Sequence, residues 1–158
     1  MARWAPGLLT AAALFWVAAI VAAPTILARG SFPLVLVVYQ AGSLVCHQLP
    51  DRSFHLAGIQ MPVCARCTGL YLSGALGASL AWIGSGMTLR RVPWWLAIVA
   101  APTAVSVALE WMGLVHPSGT WRALLGVPLG AFAGWWFVRT LRHPLPEPRR
   151  LEQMRYHA

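Results

Sequence analysis

All three cysteines of the chain fall in one stretch, Cys46 to Gly69 (CHQLPDRSFHLAGIQMPVCARCTG), together with His47, His55 and Asp51. Cys46 and His47 are adjacent, sixteen residues follow, and Cys64 and Cys67 close the stretch as a C-x-x-C. A loop of roughly 15–20 residues between a first ligand and a C-x-x-C is long enough to fold back and too short to wander. Cys46, His47, Cys64 and Cys67 are therefore expected to hold a single metal ion, with zinc favoured and iron also suited to such ligands. If all four bind, the shell is closed and structural. If His47 turns away, an open position permits Lewis-acid or hydrolytic chemistry. Asp51 is the one evident general base in the stretch, which favours the structural version.

The elements that must position these residues are apolar. The chain has 158 residues, 58% of them hydrophobic and 10% charged, with a positive mean hydropathy. So few polar side chains cannot coat a water-soluble domain, and the chain is expected to live in a bilayer. The net charge is +8, carried by twelve basic residues. These are not interleaved along one amphipathic face as phosphate-tracking surfaces require, so nucleic acid is not the expected partner. Five of the arginines lie at Arg139 and beyond, which reads as a topology signal facing anionic lipid.

Hydrophobic runs predict an all-α integral membrane bundle of four to five helices, at about residues 5–28, 32–49, 62–83, 93–114 and 120–138. The first resembles a signal peptide at Val21-Ala22-Ala23, but its length and the following Pro24 argue for a retained span. The second is marginal in length, so it either crosses or lies shallow. Between helices two and three sits a polar Cys/His connector with the turn chemistry of Pro50, Asp51 and Gly58. Gly84-Ser85-Gly86 ends helix three, Arg90-Arg91 marks an inside-type loop, and residues 141–158 form a basic, weakly ordered tail. Pro102 and Pro128 fall inside helices four and five. Most of the tryptophans stand near predicted span ends, as interfacial anchors do.

Gly126, Gly130 and Gly134 repeat every four residues, as do Ser73 and Gly77, a spacing that lets helix backbones approach closely. Helices three and five are expected to be packed ones, and the glycine face is also a candidate surface for a homo-oligomer or membrane partner. With five spans, Arg29, Arg90, Arg91 and the tail arginines share one side against Arg3, Arg52 and Arg66. If the second segment does not cross, Arg3 and Arg29 trade places. Either count makes the tail side cytoplasmic in an inner-membrane, multi-pass protein, and puts the Cys/His site on the outer face. Both arrangements gather Cys46, His47, Asp51, His55, Cys64, Cys67, Glu110, His116 and Arg122 at one membrane level. Charged groups there persist when paired or used, and Glu110 with Arg122 reads most simply as an ion pair.

Two other functions fit parts of this pattern. A C-x-x-C at a helix start facing an oxidising compartment also serves thiol–disulfide exchange, as in the quinone-linked four-helix oxidoreductases it resembles. Those enzymes pass electrons between two cysteine pairs, whereas Cys46 has no second partner, and the odd count favours metal. A small transporter or complex subunit built on the Glu110–Arg122 layer would require a continuous polar path through the bundle.

The residues CHQLPDRSF and GIQMPVCARCTGLY resemble the small bacterial and archaeal membrane-protein family known as domain of unknown function 2085. The likeness covers Cys46 to Tyr71 and extends more loosely to Glu110, Arg122 and Gly126. It implies an integral membrane protein with a shared site at Cys46, His47, Arg52, Ser53, Cys64, Arg66 and Cys67, and it implies no particular activity. His55 stands outside the pattern. The expected surround of the metal is therefore Asp51, Arg52, Ser53, Arg66, Glu110 and Arg122.

Overall fold

The computed structural model describes residues 3–30, 32–83 and 92–142. Among them are five α-helices and one β-hairpin: α1 (Ala5–Ala28), α2 (Phe32–Ser43), β1 (Ser53–Leu56), β2 (Ile59–Cys64), α3 (Ala65–Leu80), α4 (Val92–Trp111) and α5 (Gly119–Arg142). Residues 84–86, Arg90-Arg91 and the tail beyond Arg142, which carry several of the sequence expectations, lie outside the described residues.

Among the described residues three helices are long and apolar enough to cross a membrane: α1, α5 and the Trp94–Trp111 part of α4. The five helices match the expected bundle of four to five, while the helices able to cross are fewer than the five spans used in the arginine count. Helix two stops at Ser43, after 12 residues, because the chain turns there to bring Cys46 inward. Helix three loses its expected first turn to β2 and keeps 16 residues. At 1.5 Å per residue these reach about 18 and 24 Å, short of a hydrocarbon core of roughly 30 Å.

The connector between α2 and α3 is a folded hairpin where turns alone are expected from the sequence. Leu56 pairs with Ile59 and Ser53 with Cys64, across a two-residue loop, Ala57-Gly58, with positive φ at both positions. That is the backbone twist a tight hairpin favours. Pro62, expected to open helix three, lies inside β2, and α3 begins three residues later. In a two-stranded sheet each strand has a free edge, where a missing N–H is tolerated.

The bundle is organised on α3 and α5, which run parallel. A Cβ on Gly69 or Gly77 would strike the backbone of Ala123 or Ala131, and one on Gly130 or Gly134 would strike that of Leu70 or Gly74. Only hydrogen fits between these backbones, so the small-residue spacing forms an intramolecular seam. The Gly126, Gly130 and Gly134 face is thus covered by α3 and is not free for a partner chain.

α1 runs antiparallel to α3: the Trp82 indole donates to the Thr10 hydroxyl at one end, Trp16 packs edge-on against Tyr71, and Ile20 meets Val63 and Cys46 at the other. α4 runs antiparallel to α5, with the Thr103 hydroxyl donating to the Leu125 carbonyl in the turn preceding Pro128. α1, α4 and α5 all continue through their internal prolines, Pro24, Pro102 and Pro128. Arg142 donates to the Ala81 carbonyl at the end of α3 and lies over the Trp82 ring, placing a cation at the negative end of that helix. The start of α1 and the end of α5 therefore share one end of the molecule. The close of α4 and the starts of α3 and α5 share the other.

Candidate metal centre

Three local structures deliver the cysteines to one point. Cys46 lies in the irregular chain after α2 and is buried. Its backbone is fixed by the next residue but one: the Gln48 amide donates to the carbonyls of Tyr39 and Pro62, with Gln48 itself at φ 49°. Gln60 donates back to the Gln48 carbonyl, and the Tyr39 hydroxyl donates to the Gln60 carbonyl. Cys64 ends β2 and caps the start of α3, and Cys67 occupies the first turn of that helix. The result is three free thiols whose sulfurs all lie within 4.8 Å of one another.

Chemically the cluster fits one ion. Sulfurs sharing a tetrahedral zinc at ~2.3 Å each stand about 3.8 Å apart, the scale of this group. The Cys64 backbone N–H donates to Cys46 Sγ at 3.1 Å, a contact that favours thiolate over thiol. Hydrogen bonds with the Cys64 and Cys67 side chains, reinforced by that N–H, hold the Cys46 thiol far below its ordinary value despite partial burial. Ile20, Val63, Val38, Trp16 and Tyr71 form an apolar wall around the cluster.

His47 does not join the sulfurs. His47 is exposed and lines the wall of a cavity of about 360 Å³ shared with all three cysteines. The four-ligand shell expected from the sequence is, in the structure, three sulfurs facing an open space.

Four of the charged residues named from the sequence, Arg52, Arg66, Glu110 and Arg122, line the same cavity. Glu110 is buried, with its side chain 2% exposed, and faces three guanidiniums. Arg66 Nη2 donates to Oε1, Arg122 Nε donates to Oε2 at 3.3 Å, and Arg52 Nη1 stands 3.7 Å from Oε2. Arg66 Nη2 also donates to the Ser106 hydroxyl. The expected Glu110–Arg122 pair is thus one arm of a larger cluster.

Asp51 enters this layer only through its backbone carbonyl, which accepts from Arg122 Nη1, while the residue is exposed. Ser53 donates to the Leu49 carbonyl and accepts from Gln60, so it braces the hairpin. His55 and His116 are exposed and line no part of the cavity. Sequence reasoning missed Tyr39, Gln48, Gln60 and Ser106. One signal was present: apolar Ile59, Met61 and Val63 alternate with Gln60, Pro62 and Cys64, the period of a strand with one inward face.

This architecture defines a helical membrane protein with a thiol cluster and an arginine-rich cavity at one end of its bundle. The chain belongs to the family described as predicted membrane protein DUF2085, whose match covers residues 46–136 and so takes in the three cysteines, His47 and the four charged residues of the cavity. An uncharacterized protein of Methanocaldococcus jannaschii is 34% identical over 95 residues, covering 59% of this chain and 61% of that protein. One of Methanothermobacter thermautotrophicus is 28% identical over 86 residues, covering 54% of this chain and 78% of that protein. No solved structure matches significantly.

Proposed function

We propose that the protein is a membrane metal protein in which Cys46, Cys64 and Cys67 hold one ion as thiolates, zinc in preference to iron, with the fourth position open to the cavity. The supporting observation is the approach of three sulfurs to within 4.8 Å on the wall of a space that His47, Arg66 and Glu110 also line. Three protein ligands and an open position are the pattern of catalytic rather than structural zinc. An ion held there supplies Lewis-acid polarisation of an oxygen in the cavity. The chain's own contribution is a backbone N–H donated to Cys46 Sγ, an apolar wall behind the sulfurs, and guanidiniums lining the same cavity. By the excess of arginines at the α5 end, the site faces outward from an inner membrane and the tail lies in the cytoplasm.

Elemental analysis of the detergent-purified protein tests this reading. About one zinc or iron per chain is expected, falling to background in Cys64→Ser. A metal-free protein carrying a Cys64–Cys67 disulfide would instead support thiol exchange. The transporter reading gains nothing from the seam below the cavity, where α3 and α5 meet backbone to backbone.

A further inference from the structure

The cavity holds more cationic capacity than its own carboxylate uses. Three guanidiniums bring about fifteen N–H donors, yet among the described residues Arg66 and Arg122 together make four side-chain hydrogen bonds, to Glu110, Ser106 and the Asp51 carbonyl. Arg66 Nε is buried with no partner. Arg52 stands at ion-pair distance from Glu110, with its side chain 41% exposed. The charge balance points the same way. One carboxylate, Glu110, stands against three arginines in a partly enclosed space.

We infer that the cavity binds an oxyanion of the phosphate class, held by Arg52, Arg66 and Arg122 and positioned beside the three-cysteine site. The arginines converge from three different elements, the Pro50–Arg52 turn, α3 and α5. Donors arriving from several directions suit a tetrahedral anion better than a planar carboxylate, and guanidinium forks match phosphate oxygens in pairs. The same cavity is lined by Val45, Leu49, Val107 and Trp111, so the phosphate is either free or the head of an amphiphile whose chain lies along that apolar wall. The inference extends the metal reading to its substrate class, and the two fail separately.

Isothermal titration of the full-length protein in detergent tests it, with inorganic phosphate, dioctanoyl phosphatidic acid and dioctanoyl phosphatidylcholine as separate titrants and metal content measured on the same samples. Saturable binding of phosphate or phosphatidic acid is expected, weakened about tenfold in Arg52→Gln by loss of a charge-assisted contact. Arg52 is the most exposed of the three arginines, so this variant should fold, and Arg52→Lys should recover part of the affinity. Binding of both anions assigns a phosphate site open to free ligand, and binding of phosphatidic acid alone assigns a lipid-borne head group. Absence of saturable binding by either, equal affinity in wild type and Arg52→Gln, or equal binding of phosphatidylcholine overturns the assignment. Anion binding by metal-free protein would leave this inference standing and sink the metal reading. A full metal complement with no anion binding would do the reverse.

Discussion

The Glu110 carboxylate is buried and faces three arginines. Removing one partner from such a cluster is costlier than the cluster's net worth, because the remaining charges stay in a poor solvent. Glu110→Ala should therefore destabilise the detergent-solubilised protein by about 3 kcal/mol, read as a lowered midpoint in thermal unfolding. Its metal content should stay near the wild-type value, since no sulfur depends on the carboxylate; a variant that folds normally but arrives metal-free would place Glu110 in the metal shell. Cys67→Ser should do the opposite, losing the ion while keeping the helix. His47→Ala should leave metal stoichiometry close to wild type, because the imidazole lies outside the sulfur group. Loss of the ion in that variant would restore His47 as a fourth ligand.

At the level of elements, the seam between α3 and α5 is the most sensitive part of the fold. A Cβ on Gly130 would meet the Leu70 carbonyl and the Ser73 hydroxyl, whereas one on Gly7 would meet nothing within 4 Å. Gly130→Val must push two backbones apart and should cost several kcal/mol or prevent folding, by overpacking at a contact that cannot yield. Gly7→Ala should be neutral or stabilising by up to about 1 kcal/mol, because alanine loses less backbone freedom in a helix. Comparing their melting temperatures with wild type checks the pair, and equal effects would contradict the seam. The hairpin is the second such element. The amide contacts among Tyr39, Gln48, Gln60 and Pro62 hold Cys46 against Cys64 across 18 residues of chain.

For the whole molecule, the antiparallel course of α1 against α3 decides a point that arginine counting leaves open. With α2 too short to cross, Arg3 falls at the α5 end and Arg29 at the site end. Reporters fused before Trp4 and after Arg142 should report the same side of the membrane, and a reporter inserted at Gly58, in the hairpin turn, the opposite one. Opposite signals from the two ends would require α2 to span. The molecule then has one apolar end-to-end bundle, tied at the tail end by Thr10, Trp82 and Arg142 and open at the other over the thiol and arginine layer.

The sequence alone determined the membrane class and the presence of five helices and supplied a set of candidate site residues, because long apolar runs, small-residue spacing and the C-x-x-C are local signals. α1 falls on the predicted bounds, and Cys46, Arg52, Cys64, Arg66, Cys67, Glu110 and Arg122 gather around one cavity. Only the tertiary structure decided that the close sulfur group is Cys46, Cys64 and Cys67 without His47, that the glycine face is spent on α3, and that one glutamate meets three arginines. Those outcomes depend on side-chain direction and on contacts across dozens of residues. A list of residue types carries neither, since each follows from how the hairpin and the α3–α5 seam seat the chain in three dimensions.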